Sequence, residues 1–228
     1  MAPPSVDEPF IVMADAGDDP LVTCSGSGPF PLSALEGPPD VDPDSDDPLH
    51  QVLLSSTFEG GQPTPQEGWR TLWRTGEAAE FYLLGDTSFF LVRFDFVAAG
   101  WVGDGHSSGG PPGCRIMLAL PDGVDIMNVA LDPDSPPDPT STTLHLLVNQ
   151  RACSGGSSGV ENMRPPEIIE SDTEIRVAIA VVPPEGNQTC PGNPPAPIEM
   201  ELDSPIGDRT ILDGLRVPPI DLELGPDF

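Results

Sequence analysis

The segment with the clearest capacity for chemistry carries carboxylates at alternate positions: Asp40, Asp42, Asp44 and Asp46. This spacing is typical of calcium loops, because a hard cation needs several oxygens that converge from one short segment. A complete EF-hand loop also needs glycine at its sixth position and glutamate at its twelfth, where this chain has Ser45 and Gln51. We therefore expect a solvated acidic loop and no cofactor, with calcium binding by these four aspartates as the alternative.

A second pattern, G-x-S-x-G at residues 105–109, places Ser107 where α/β-hydrolases hold their nucleophile. The reaction requires this serine on a sharp strand-to-helix turn, with a histidine and an acid supplied by later strands. Pro111 and Pro112 prevent a helix from beginning there, and the same pattern recurs at residues 155–159 in another Gly/Ser-rich loop. The sequence thus disfavours a serine hydrolase and favours a protein that is not an enzyme.

The chain has four cysteines, Cys24, Cys114, Cys153 and Cys190. They lie far apart, without a Cys-x-x-Cys pair, which argues against a zinc site. Two disulfides fit, and four cysteines allow three connectivities. Cys153 and Cys190 each adjoin a strand-like run in the C-terminal half, so we favour this pair and the pair of Cys24 with Cys114. The alternative is four free thiols in a cytosolic protein.

The charge balance limits the partners that the chain can have. Its 228 residues include 37 acidic residues against nine basic ones, all arginine, for a net charge of −28. Nucleic acids and anionic membranes are held by clustered Lys and Arg, so we predict neither as a partner. A protein or another envelope component of unknown identity remains as a partner. Adaptation to high salt is a further explanation of the charge.

The elements that must position these residues are mostly β-strands. Period-two alternation over residues 69–97 predicts a β-meander, and Leu144, Leu146 and Val148 show the same alternation in the C-terminal half. Pro48 behind Asp46 or Asp47 predicts one short helix. We predict an acidic disordered linker at residues 1–20, a β-rich unit at 21–140 with the helix, and an Ig-like β-sandwich at 141–228.

Several strings together resemble a known group of proteins. They are LVTCSG at 21–26, FPLSALEG at 30–37, LVNQRACSG at 147–155, TCPGNP at 189–194, PIGDRTILDG at 205–214 and VPP at 217–219. In this order they resemble uncharacterised exported proteins of high-GC actinobacteria. The resemblance implies an exported or membrane-anchored protein with disulfides, and no assigned activity.

The expected function follows from these observations. Residues 1–8 lack the basic and apolar regions of an export signal, so we expect either a cytosolic chain or one whose leader is absent from this sequence. The cysteines and the resemblance favour an extracytoplasmic, non-enzymatic binding or scaffolding protein of the cell envelope. A calcium-dependent surface or adhesion module is the alternative of a different class.

Overall fold

The structure is a computed structural model that describes residues 12–14, 16–24, 27–58, 61–86, 88–109 and 114–225, with the backbone alone for 104–107. The described chain is mostly β, as the alternating patterns predict. It forms two units. We call Asp18–Ile116 the N-terminal unit, and Met117–Phe228 with the described part of Met1–Gly17 the C-terminal unit.

The N-terminal unit is built around an antiparallel meander. Its elements are β1 (Leu21–Cys24), β2 (Ser27–Pro31), α1 (Leu32–Glu36), α2 (Pro48–Ser55), β3 (Arg70–Arg74), β4 (Ala78–Leu84), β5 (Phe89–Val97) and β6 (Gly100–Gly109). β3 to β6 lie side by side in sequence order, and β1 pairs with β2 as a hairpin. The predicted meander is therefore confirmed.

One face of the meander packs under α2. Alternate residues of the strands, among them Phe81 and Phe94, join Leu49 and Leu53 of α2 and the fully buried Trp69 in one apolar cluster. The indole N–H of Trp69 donates to the carbonyl of Pro65 at 2.8 Å. Because its only donor is satisfied, this large ring can be buried without a polar penalty.

The predicted helix is α2, and its start follows the expected rule. Asp47 is the N-cap: its side chain accepts from the N–H of Leu49 at 2.9 Å, and Pro48 occupies the first helical position. Arg74 also donates to the Asp47 carboxylate, which lowers the pKa of Asp47. The one-turn α1 was not predicted, because its apolar residues lie within a short Gly/Ser-rich segment.

The C-terminal unit contains two four-stranded sheets. Its elements are β7 (Ile116–Leu118), β8 (Asp125–Leu131), β9 (Thr143–Gln150), a 3₁₀ turn (Val160–Asn162), β10 (Glu167–Glu170), β11 (Glu174–Ala178), β12 (Ala180–Val181), β13 (Ala196–Glu201), β14 (Thr210–Asp213) and β15 (Ile220–Asp221). The strand orders are β12-β8-β9-β13 and β10-β11-β14-β15.

These two sheets share one apolar core. Leu144, Leu146 and Val148 of β9 pack in the same cluster as Ile175 and Val177 of β11, so the inward residues of the two sheets form a common interior. The predicted sandwich is confirmed in this sense. Its second sheet contains a parallel pair, β11 with β14, whereas the sheets of an immunoglobulin domain are antiparallel.

The acidic proline-rich loop at residues 132–139 connects two neighbouring strands. The composition predicts a boundary at residue 140, between β8 and β9. In the structure these strands pair from Met127↔Gln150 to Leu131↔Leu146, and both belong to the C-terminal unit. The loop is rich in proline and acidic residues, as linkers are, but in the structure it closes the β8–β9 hairpin.

A short segment near the N-terminus is held by one carboxylate of the C-terminal unit. The backbone N–H groups of Val12, Met13 and Ala14 donate to Glu167 at 2.7, 2.8 and 2.9 Å. A Cβ at position 214 would lie 2.1 Å from the sulfur of Met13, so Gly214 leaves the room that this segment needs. The predicted disorder of residues 1–20 does not extend to residues 12–14, and residues 1–11 lie outside the described residues.

A partly buried ion pair folds the loop between β13 and β14. Glu170 accepts from Arg209 at 2.6 Å, from the N–H of Asp203 at 2.6 Å and from the hydroxyl of Ser204 at 3.1 Å. Burial raises the pKa of Glu170, but these bonds outweigh it and lower the pKa below its ordinary value of 4.5. The pair therefore stabilises the fold above about pH 4.5, and this contribution is lost as the pH falls through the pKa of the folded chain.

We predict that Glu170→Gln lowers the free energy of unfolding by about 2 kcal/mol at pH 7, because a charge-assisted set of bonds is lost. The difference from the unchanged chain should be smaller at pH 3, below the ordinary pKa of 4.5, because the charge contributes less stability as the pH falls toward the lowered pKa of the folded chain. Urea unfolding at the two pH values measures it. Glu185→Gln, at an exposed loop position, is the control with no expected effect. An equal loss at both pH values would contradict the ionic explanation.

Candidate functional site

Each unit contains one disulfide. Cys24–Cys114 lies in the N-terminal unit, with Cα atoms 5.5 Å apart and 90 residues of sequence separation. Cys153–Cys190 lies in the C-terminal unit, with Cα atoms 4.7 Å apart and a separation of 37 residues. Both favoured pairings are confirmed. Because disulfides persist in oxidising compartments, the two bonds indicate an oxidising environment outside the cytosol.

The loop beside Cys190 is fixed to β9 by the side chain of Asn193. Its amide nitrogen donates to the carbonyls of Gln150 and Ala152, both at 2.7 Å. Its amide oxygen accepts from the hydroxyl of Ser154 at 2.8 Å, and its main-chain carbonyl accepts from Asn149 at 2.8 Å. The groups in this network are neutral amides and hydroxyls. The arrangement therefore has the chemistry of a structural clamp.

The four aspartates of the acidic loop do not converge. Asp40 accepts from the N–H of Thr71 at 2.7 Å, and Asp42 accepts from the N–H of Asp44 at 2.9 Å. Asp46, like the other three, is exposed. In the described ranges, no group of three or more His, Cys, Asp or Glu is placed to hold a metal ion. This geometry gives no support to the predicted calcium site.

The loop is instead closed by Gln51, the residue that stands at the twelfth position of the calcium-loop pattern. Its side-chain nitrogen donates to the carbonyls of Pro43 and Ser45 at 3.1 and 2.9 Å. In an EF-hand the glutamate at this position supplies oxygens to the cation. Here the same position supplies a donor, so a hydrogen bond fixes the loop where a calcium loop has its ion.

Ser107 lies in the middle of a strand. β6 runs through it to Gly109, and the register pairs Leu91 with Ser107. A nucleophile elbow needs a sharp turn between a strand and a helix, and this backbone has neither. The side chain of Ser107 lies outside the described residues. The sequence predicts a Gly/Ser-rich loop for the pattern at 105–109, whereas these residues belong to β6, and their backbone does not have the context of a serine hydrolase.

The second G-x-S-x-G pattern also lacks a catalytic partner in the described residues. The Ser157 hydroxyl donates to Glu161 at 2.5 Å, and this bond lowers the pKa of Glu161. His145 faces a different carboxylate, Glu199, across the β9–β13 pair at 3.6 Å. Neither pair forms the serine–histidine relay that acyl transfer requires.

The feature that sequence reasoning missed is the turn between β5 and β6, which we call the apolar tip. It comprises Phe96, Val97, Ala98, Ala99, Gly100, Trp101 and Val102. The two alanines form the turn, and Gly100, at φ +112°, has a backbone conformation that other residues rarely adopt. The register pairs Phe96 with Trp101, and their rings meet edge to face with centroids 5.2 Å apart.

The apolar tip is uncharged, and its Phe96, Val97 and Val102 side chains are exposed, whereas Trp101 is half-buried against the apolar cluster beneath α2. The exposed fractions are 52% for Phe96, 45% for Val97 and 49% for Val102. Turns are normally formed by Gly, Pro, Asn, Asp and Ser, so seven consecutive residues without a polar side chain are unusual at such a place. The run of apolar residues is visible in the sequence, but the same run is also typical of a buried strand. Large contiguous apolar surfaces mark interaction sites, so the apolar tip is the candidate binding surface among the described residues.

No protein-family model, curated protein or solved structure matches this chain. None of the helices in the described ranges combines the length and apolar content that a bilayer span requires.

We predict that Asn193→Ala lowers the free energy of unfolding by about 2 to 3 kcal/mol, because the carbonyls of Gln150 and Ala152 lose their side-chain donor. Denaturant unfolding without reductant measures the loss. Asn187→Ala, at an exposed position of the same loop, is the matched control and should change stability little. If the two variants lose equal amounts, the clamp does not hold the loop.

Proposed function

We propose that this chain is an extracytoplasmic, non-enzymatic binding or scaffolding protein of the cell envelope, and that the apolar tip is its binding surface. The exposed apolar tip is the observation that carries the proposal. On a chain with a net charge of −28, an uncharged hairpin turn with Phe96, Val97 and Val102 exposed offers hydrophobic contact where the charged surface does not.

The two disulfides support the location. A protein that keeps Cys24–Cys114 and Cys153–Cys190 oxidised fits a compartment outside the glutathione-buffered cytosol. The resemblance to exported actinobacterial proteins agrees with this location and stays a prediction. The disulfides support the location, and the apolar tip supports attachment to the envelope.

The described side chains support a role without catalysis. His50 lies beside Asp47 at 3.9 Å, and His145 lies beside Glu199. Among the bonds that the structure describes, neither histidine activates a hydroxyl, as nucleophilic catalysis by serine requires. The polar groups in the C-terminal loops bond to one another, which favours a rigid scaffold.

We predict that Val97→Asp and Val102→Asp release the protein from the envelope fraction of its native host. Each change places a charge on an exposed position of the apolar tip, which an apolar partner should not tolerate. Because Asp95 lies opposite position 102, thermal unfolding checks that the Val102→Asp chain is folded. Leu84→Asp is the matched control, because Leu84 is 48% exposed at the opposite end of the same sheet. Quantitative fractionation measures the distribution. Retention of both valine variants in the envelope fraction would contradict the proposal.

A further inference from the structure

We infer that the apolar tip inserts into the interface of a zwitterionic lipid bilayer. This inference rests on the proposed function, in which the apolar tip is the binding surface, and it names the partner as an uncharged lipid surface.

The two faces of the hairpin provide the first reason. Side chains alternate between the faces of a strand, so Phe96 and Trp101 lie on one face of the ribbon and Val97 and Val102 lie on the other. Exposed apolar side chains therefore occur on both faces. The flat surface of a protein partner covers one face of a ribbon. A lipid interface surrounds the inserted ribbon and covers both.

The size of the apolar tip provides the second reason. A stable protein–protein interface buries about 800 Å² on each partner and involves about 20–30 residues a side. The apolar tip has seven residues, ending in a tight turn. Insertion into an interface needs no matching partner surface, because its free energy grows with the apolar area that is removed from water.

The residue types fit the same partner. Aromatic side chains are enriched at membrane–water interfaces and dominate apolar contacts, and Phe96 is the more exposed of the two aromatic residues of the apolar tip. Asp95 lies opposite Val102 in the register and next to Arg93, at 3.4 Å. These two charges come directly before the apolar tip along β5, so they set a limit to the depth that can enter the apolar region.

The net charge decides between lipid classes. A net charge of −28 is repelled by a surface that carries anionic headgroups. The apolar tip contains no basic residue that could offset this repulsion. A neutral, zwitterionic surface such as phosphatidylcholine therefore fits, and anionic lipid should weaken the binding.

The test is flotation of the purified, oxidised protein with phosphatidylcholine vesicles, with and without added phosphatidylglycerol. We expect binding to phosphatidylcholine, weaker binding when phosphatidylglycerol is added, and about a tenfold loss of partitioning for Val97→Asp and for Val102→Asp, since each loses the burial of one apolar side chain. Leu84→Asp should bind like the unchanged protein, and thermal unfolding of all variants checks that they are folded.

The outcomes separate the two proposals. No binding of the unchanged protein to phosphatidylcholine, stronger binding to the anionic vesicles, or unchanged binding of both folded valine variants would overturn the lipid inference. If envelope association depends on the apolar tip while phosphatidylcholine vesicles are not bound, the lipid inference is wrong and the proposed function stands. If envelope association is independent of the apolar tip, the proposed function itself is wrong.

Discussion

The shortage of positive charge is the constraint on which the rest of the structure depends. Nine arginines cannot neutralise 37 carboxylates, so the fold must hold its buried carboxylates largely with neutral donors. Glu167 accepts three consecutive backbone N–H groups. Glu80, only 4% exposed, accepts from the Ser27 hydroxyl and from the Trp73 indole at 2.8 Å. A buried carboxylate is tolerated when hydrogen bonds replace its hydration, and these bonds also tie separate segments together.

Most of the other carboxylates in the described ranges are exposed or half-buried, and their mutual repulsion opposes the compact state. Two covalent links counter this repulsion, one in each unit, across separations of 90 and 37 residues. By the loop-entropy relation, each bond of this span contributes about 4 kcal/mol by restricting the unfolded chain. The C-terminal link is reinforced by Asn193, which fixes its loop to β9. In this setting, an uncharged and exposed hairpin turn is the exception that indicates contact with something apolar.

Much of the fold could be predicted where a local rule acts alone. Alternation predicted β5 and β9, because half-buried strands need it, and Asp47 with Pro48 predicted the start of α2. The composition predicts a boundary at residue 140, because a proline-rich loop looks the same in a linker and in a hairpin, and only the β8–β9 pairing shows that this loop closes a hairpin. The calcium site suggested by the acidic loop has a related explanation. Spacing shows where carboxylates lie in the sequence, whereas their convergence on a cation depends on tertiary hydrogen bonds such as those of Gln51. The apolar tip could not be predicted from the sequence, because the exposure of a side chain is a property of the folded chain.

The central claim is that disulfides hold this acidic, sheet-built protein together outside the cytosol. Mass spectrometry of protein isolated from its native source, alkylated under denaturing conditions without reductant, tests it most directly. The account predicts no alkylated cysteine and two cross-linked peptide pairs, one joining Cys24 to Cys114 and the other joining Cys153 to Cys190. Four alkylated thiols would contradict both the location and the explanation of stability.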